Sequence, residues 1–285
     1  MRPEPPGADA LTILVPVLNE GGTLARVLRS IPHHLAPRVL VVDGGSTDGS
    51  VAIAERLGFA VIRQDGVGLG RAMQTGVRRA RGRIVATLDA DGAHTGDHVV
   101  ALLARLDEGY DLVVASRFSN APDTVGMFSP HRRSTEPGSR IRSFGNRLFT
   151  CLCRVWFDVP IHDVLNGCKA FRRDMFLALP LEGGGHEHDL ELVIKAQRAG
   201  FRIAEVPIRQ SPRLAGASKL NAFRHGFVIL RVLVTEALRG WRAHARGLHT
   251  TRAHTKYGSF FGGPRAYNAD SRGTPAAPGS RRHST

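Results

Sequence analysis

Cysteine is scarce: three residues, Cys151, Cys153 and Cys168, in a chain of 285. An odd, sparse set excludes a disulfide framework and fits a reducing compartment. Cys151 and Cys153 form a C-x-C within an apolar stretch and read as buried small hydrophobes. Long hydrophobic runs are also missing. None approaches the roughly 20 residues that cross a bilayer, and the best candidate, 227–234, is broken by Arg231. The opening MRPEPPGADA is polar and Pro-rich, without the apolar segment of a secretory signal. The expectation is a cytoplasmic chain, soluble or peripheral on the inner face of the membrane. Two phosphate-binding fingerprints are absent as well. GVGLGR at 66–71 has Arg71 where a dinucleotide fingerprint needs its third glycine, and no G-K-[ST] loop occurs.

Acidic residues are outnumbered, 25 against 39 Lys and Arg, for a net charge of +14. Half of that excess lies in residues 241–285, where eight Lys/Arg face one acid, Asp270. Such a balance suits a polyanionic partner: nucleic acid, an anionic membrane or a phosphorylated substrate. Nucleic acid is disfavoured, because aromatics make up only 6% and no recognised binding module is present. The tail composition, rich in Gly, Pro, Ser, Thr and Arg, predicts disorder for 241–285, and residues 1–9 are expected to be disordered too.

The remaining 42% hydrophobic residues are enough for a sizeable core. Apolar runs at 11–16, 38–43, 59–63, 83–88 and 111–115 read as buried strands. Between them, periodic segments at 20–31, 50–57, 69–80 and 97–106 read as helices, the first capped by Asn19. Strands that are continuously apolar and alternate with helices predict an α/β fold, a mostly parallel sheet covered on both faces. Residues 116–140 lack periodicity and read as a flexible loop. Helices are expected at 142–157 and 187–199, a strand at 202–207, and an amphipathic helix at 221–239. Phe223, Phe227, Leu230, Val234 and Ala237 make one apolar face of that last helix, with Arg224, Arg231 and Arg239 off it. It suits either a headgroup interface or packing on its own core.

Ligands of such sheets bind at the carboxyl ends of the strands, and the chemistry-bearing residues stand there. Asp89-Ala90-Asp91 ends an apolar strand, and paired carboxylates in that position suit a hard divalent cation bridged to a diphosphate. Asp43 ends another strand, before a Gly-Gly-Ser turn that lets a ligand approach the backbone, and Asp48 can cap the next helix. Glycines 66, 68 and 70 read as a tight turn into a helix.

Taken in order, ILVPVLNE (13–20), VVDGGSTDGS (41–50), GLGRAMQTGVRRARGRIVATLDADGAH (68–94) and DLVVASRF (111–118) resemble glycosyltransferase family 2, with the GT-A fold. The later blocks at 146–176, 186–208 and 213–220 are similar to the polyprenyl-phosphate (dolichyl-phosphate) mannose or glucose synthase branch. The resemblance covers about residues 10–235 and implies a single GT-A domain over 10–219, followed by a helix at 220–240. It implies an inverting enzyme that moves a sugar from GDP-mannose or a UDP-hexose to a polyprenyl phosphate, with Mg2+ or Mn2+ as cofactor. Pro16, Asn19, Glu20, Asp43, Asp89 and Ala90 would take the nucleotide sugar, and Asp89 and Asp91 the metal. Arg117, Arg140, Arg213 and Lys219 would hold the acceptor phosphate, with Glu187 and Asp189 as further catalytic acids. Gly44 and Ala93 stand where this branch usually carries an Asp and a Gln. Two alternatives belong to the same reading of the charges. One is a soluble enzyme of this fold acting on a small alcohol, with Asp189, Glu187 or Asp163 as base; the other is a basic nucleic-acid-binding protein.

Overall fold

The computed structural model describes residues 10–118, 139–209 and 222–245, of which 139–143, 222–224 and 241–245 as backbone only. At its centre is a seven-stranded sheet in the order β3-β2-β1-β4-β6-β5-β7. The strands are β1 (Leu11–Val17), β2 (Val39–Asp43), β3 (Ala60–Arg63), β4 (Ile84–Thr87), β5 (Leu112–Ser116), β6 (Lys169–Arg172) and β7 (Ile203–Pro207). All neighbours are parallel except β6, which runs antiparallel to both β4 and β5. The mostly parallel sheet inferred from the apolar runs is therefore present, with one reversed strand that the periodicity had not revealed.

Alternation along each strand sends side chains to two cores. Ile13, Val15 and Val113 face one side, and Leu14, Leu112 and Val114 the other. The first side is covered by α1 (Leu24–Ser30), α2 (Ser50–Arg56) and α4 (Gly96–Asp107). The second is covered by α3 (Leu69–Arg79), α5 (Ser139–Phe157), α6 (Arg173–Ala178), α7 (His188–Arg198) and α8 (Ala222–Ala245). Burial on both faces is why these strands carry no polar alternation.

Several boundaries differ from the sequence expectation for physical reasons. The first helix begins at Leu24 and not at residue 20. Asn19 does not cap it: it takes a left-handed φ of 53°, and the chain turns through Glu20 before Thr23 opens the helix. Cys153 is buried, its thiol pushed up to about 12 by burial, but Cys151 is exposed and is no core residue. Helix α8 continues to Ala245, into the segment whose composition predicted disorder. Residues 1–9, 119–138 and those beyond 245 lie outside the described residues, as does the disorder expected for them. Among the described residues no helix is long and apolar enough to cross a membrane.

Helix α8 is keyed to the rest by buried charge as well as by Ile229 and Leu233, which are fully buried. Glu236 pairs with Arg198 (2.8 Å) and Arg239 (2.7 Å), and Arg239 reaches Glu182 (3.2 Å). Beneath them Lys195 pairs with Glu191 (2.5 Å), whose carboxylate also accepts from the backbone N–H groups of Glu182 and Gly183. Burial acts to raise the Glu191 pKa, but Lys195 and the two N–H donors outweigh it and hold the group below 4.5. A depressed acid contributes stability in full above its unfolded value, and that contribution is lost as pH falls through the lower folded value. Glu191→Gln is expected to lower stability at neutral pH and to flatten its decline as pH falls below the ordinary glutamate value; urea unfolding from neutrality into acid measures both.

Candidate active site

The β1–α1 and β2–α2 loops are laced together at the carboxyl edge of the sheet. Asn19 N donates to Ser46 Oγ (3.0 Å), and Thr47 N donates back to Asn19 Oδ1 (2.7 Å). Glu20 N donates to Ser50 Oγ (3.0 Å) and Gly21 N to Asp48 Oδ2 (2.8 Å). Asp48 also caps the start of α2 by accepting from Ser50 N. The Ser50 hydroxyl and Gly21 N lower its pKa. Buried Asp43 accepts from Gly45 N (2.9 Å) and Ser46 N (3.0 Å), fixing the glycine turn. Gly44 N donates to Val17 O, and Pro16 lies in β1 opposite Val42. Pro16, Asn19, Glu20 and Asp43 thus share one edge, as anticipated.

The D-x-D follows β4 after one residue, Leu88. Ala90 is buried, and its carbonyl accepts from Thr23 Oγ1 (2.7 Å), which ties the motif to the first loop. Asp91 Oδ1 accepts from Ala93 N (2.9 Å). Asp89 is half-buried, with His94 Nδ1 3.3 Å from its Oδ2. Burial acts to raise the Asp89 pKa, yet His94, Lys169 and His186 carry it below the usual carboxylate value. A Cβ added at Gly167 would stand 2.6 Å from Asp89 Oδ1, so glycine there keeps the carboxylate open.

The opposite flank is built on β5 and the segment 163–169. Arg117, just past the end of β5, meets fully buried Asp163 in a two-pronged pair, Nε to Oδ2 at 2.6 Å and Nη2 to Oδ1 at 2.7 Å. Its own backbone N–H donates to the same carboxylate (3.0 Å). Burial would lower the Arg117 pKa, but Asp163, Asp89 and Asp189 together raise it. Asn166 Nδ2 donates to Asp163 (3.3 Å), and its carbonyl accepts from Lys169 Nζ. Lys169 Nζ also pairs with Asp189 Oδ1 at 2.7 Å. Asp189 lies in the first turn of α7, after Glu187, whose Oε1 accepts from Gly185 N (2.9 Å).

Asp163, a candidate base on the sequence, is found paired with Arg117. Lys169, Asn166, Gly167 and His94 were missed. A strand lysine reads as surface, and only its partner 20 residues on explains its burial. Glycines 68 and 70 do more than turn the chain. Their Cβ positions would collide with the carbonyls of Gly184 and Gly183, at 2.3 and 2.2 Å, so two glycine segments pack backbone to backbone beside the site. Arg140 belongs to α5 but its side chain, with Arg213 and Lys219, lies outside the described residues.

The donor set suits a hard cation. Asp163 and Asp189 pair with Arg117 and Lys169, and Asp89 and Asp91 are the carboxylates that follow β4. Among the described residues no three His, Cys, Asp or Glu side chains converge as a closed cage. Two carboxylates completed by substrate phosphates is the set magnesium ordinarily takes.

An α/β sheet with one reversed strand and a D-x-D just past its central strand is the architecture of a GT-A fold. The chain belongs to glycosyl transferase family 2, whose family model matches residues 12–179. It is 31% identical over 236 residues to the glycosyltransferase AglJ of Haloferax volcanii, covering 81% of this chain and 73% of that protein. It is 30% identical over 252 residues to the polyprenol monophosphomannose synthase of Mycolicibacterium smegmatis, covering 83% and 90%. The crystal structure of glucosyl-3-phosphoglycerate synthase from Mycobacterium tuberculosis, in complex with Mn2+, UDP and glucosyl-3-phosphoglycerate, superposes with a TM-score of 0.62 at 20% identity, covering 81% and 80% of the two chains.

Removing the buried partner of a charged group costs more than the pair itself contributes. Asp163→Asn is expected to destabilise the fold by about 1–3 kcal/mol, seen as a lower urea midpoint with an unchanged slope.

Proposed function

We propose that this enzyme is an inverting, metal-dependent transferase that moves a sugar from a nucleotide diphosphate donor, GDP-mannose or a UDP-hexose, onto a polyprenyl phosphate at an anionic membrane surface. The supporting observation is a pair of exposed apolar stripes that begin beside the site. On α5, Phe144, Leu148, Cys151 and Val155 recur every three or four residues and are exposed. On α8, Phe227, Leu230, Val234 and Leu238 do the same, with Phe227 71% exposed. The two helices pack against each other. Arg147 lies over the ring of Phe118, next to Arg117, and His225 of α8 meets His186 beside Glu187 with ring centroids 5.5 Å apart. A lipid phosphate at Arg117 would therefore have its chain beside these stripes. Exposed Arg147, Arg154 and Arg231 flank them, as suits an anionic headgroup layer.

The acids support a phosphate acceptor too. Asp163 is committed to Arg117 and Asp189 to Lys169, whereas a phosphate monoester arrives ionised and needs no strong base. Its oxygen attacks the anomeric carbon in line, the new C–O bond forms as the C–O bond to the diphosphate breaks, and configuration inverts. Arg117, held by Asp163, with Arg140, Arg213 and Lys219, would orient the acceptor through guanidinium and ammonium contacts. Pro16, Asn19, Glu20 and Asp43 would seat the nucleotide. Asp89 and Asp91 would hold Mg2+ or Mn2+, which as a Lewis acid offsets charge on the departing diphosphate.

The test is transfer of labelled sugar into an organic-extractable product, with polyprenyl phosphate, Mg2+ or Mn2+, and GDP-mannose, UDP-glucose or UDP-N-acetylglucosamine in turn. Labelling that disappears in Asp91→Ala is expected. Retention of nucleotide binding with no lipid product from any donor would instead favour a soluble acceptor. The surface has its own assay. The full chain is expected to float with anionic liposomes, and V155S/F227S to float several-fold less, about 1–3 kcal/mol of apolar burial being lost.

A further inference from the structure

Lys169 is a lysine that solvent hardly reaches, with 1% exposure, among the largest fully buried side chains of the protein. A buried ammonium is retained only with partners, and both of its partners belong to the site. Nζ donates to Asn166 O, in the segment that carries Asp163 and Gly167, and to Asp189 Oδ1 at 2.7 Å. Its main chain is fixed from the other side. Lys169 N donates to Thr87 Oγ1 (3.0 Å), and Thr87 Oγ1 donates to Gly167 O (2.5 Å). Thr87 is the β4 residue paired with Lys169 in the antiparallel register, two positions before Asp89. One residue thus links the strand that presents the D-x-D to the helix that presents Asp189. With 2% of its side chain exposed and its ammonium doubly engaged, Lys169 does not reach substrate.

We infer that Lys169 is a positioning residue for sugar transfer: its buried ammonium fixes the Asp189 carboxylate against the reacting groups and joins it to the D-x-D strand. Asp189 is 8% exposed, and its Oδ1 is held by Lys169 at 2.7 Å. The inference rests on the transferase reading above.

The test compares Lys169→Met, Asp189→Asn, the K169M/D189N double variant and Lys169→Arg, each by melting temperature, by calorimetric binding of Mn2+ with nucleoside diphosphate, and by kcat and KM in the transfer assay. Lys169→Met leaves a buried carboxylate without its partner, so its melting temperature should fall, and the double variant, with both charges removed, should recover it. Turnover should not recover. Both Lys169→Met and the double variant should lose about a hundredfold in kcat, with donor KM and nucleotide binding changed less than about threefold, and Lys169→Arg should restore part of kcat. If kcat of Lys169→Met, assayed well below its melting temperature, rises to the wild-type value once corrected for the folded fraction, Lys169 only supports the fold and the inference is overturned. An active wild type with this result sinks the inference alone; a wild type inert toward every donor sinks the transferase reading and the inference with it.

Discussion

Charge compensation at one edge of the sheet is the constraint on which the rest of this molecule depends. Four aspartates gather where β4, β5 and α7 end or begin, in surroundings too dry to leave them all unpaired. The answer is a single stretch of seven residues. Asp163 anchors Arg117, Asn166 joins the two ion pairs, Gly167 clears space for Asp89, and Lys169 answers Asp189. Because these four residues lie within one short segment of chain, a shift of the segment moves every one of them, and the site is set as a unit.

A second layer of buried charge performs the same service one helix further out. Glu191, Lys195, Glu236, Arg198 and Arg239 connect α7 to α8, and through Glu182 to the glycine segment packed on Gly68 and Gly70. The rim of the site and the helix bearing the outer apolar stripe are therefore parts of one ion-paired body. That arrangement explains why α8 can expose Phe227, Leu230 and Val234 while Ile229, Leu233 and Glu236 face inward. The inward face has two kinds of partner, apolar through Ile229 and Leu233 and ionic through Glu236.

Much of the carboxyl edge of the sheet could be read from the residues in order. Continuous apolar runs located five strands, and the acids fell at their carboxyl ends because that is where a parallel sheet exposes them. What stayed hidden had local causes. Asn19 looked like a cap because Asn caps helices well, yet its side chain is engaged by Thr47 in a neighbouring loop. Strand β6 is four residues long, begins with a lysine and runs against its neighbours, so neither period nor composition announced it. The apolar face chosen for α8 on spacing alone is its outer one, since burial there follows Glu236 as much as hydrophobicity. Asp163 and Lys169 could be interpreted only once their partners, 46 and 20 residues away along the chain, were seen beside them.

The reversed strand has a geometric consequence. Because β6 lies between β4 and β5, the carboxylates after β4 and the guanidinium after β5 are two ladder steps apart. At about 4.8 Å per step this amounts to roughly 10 Å between strand axes. Hydrogen bonds on both sides of β6 keep that gap from closing or widening without breaking a ladder. The sheet therefore works as a ruler, holding the carboxylates after β4 and the guanidinium after β5 a fixed width apart.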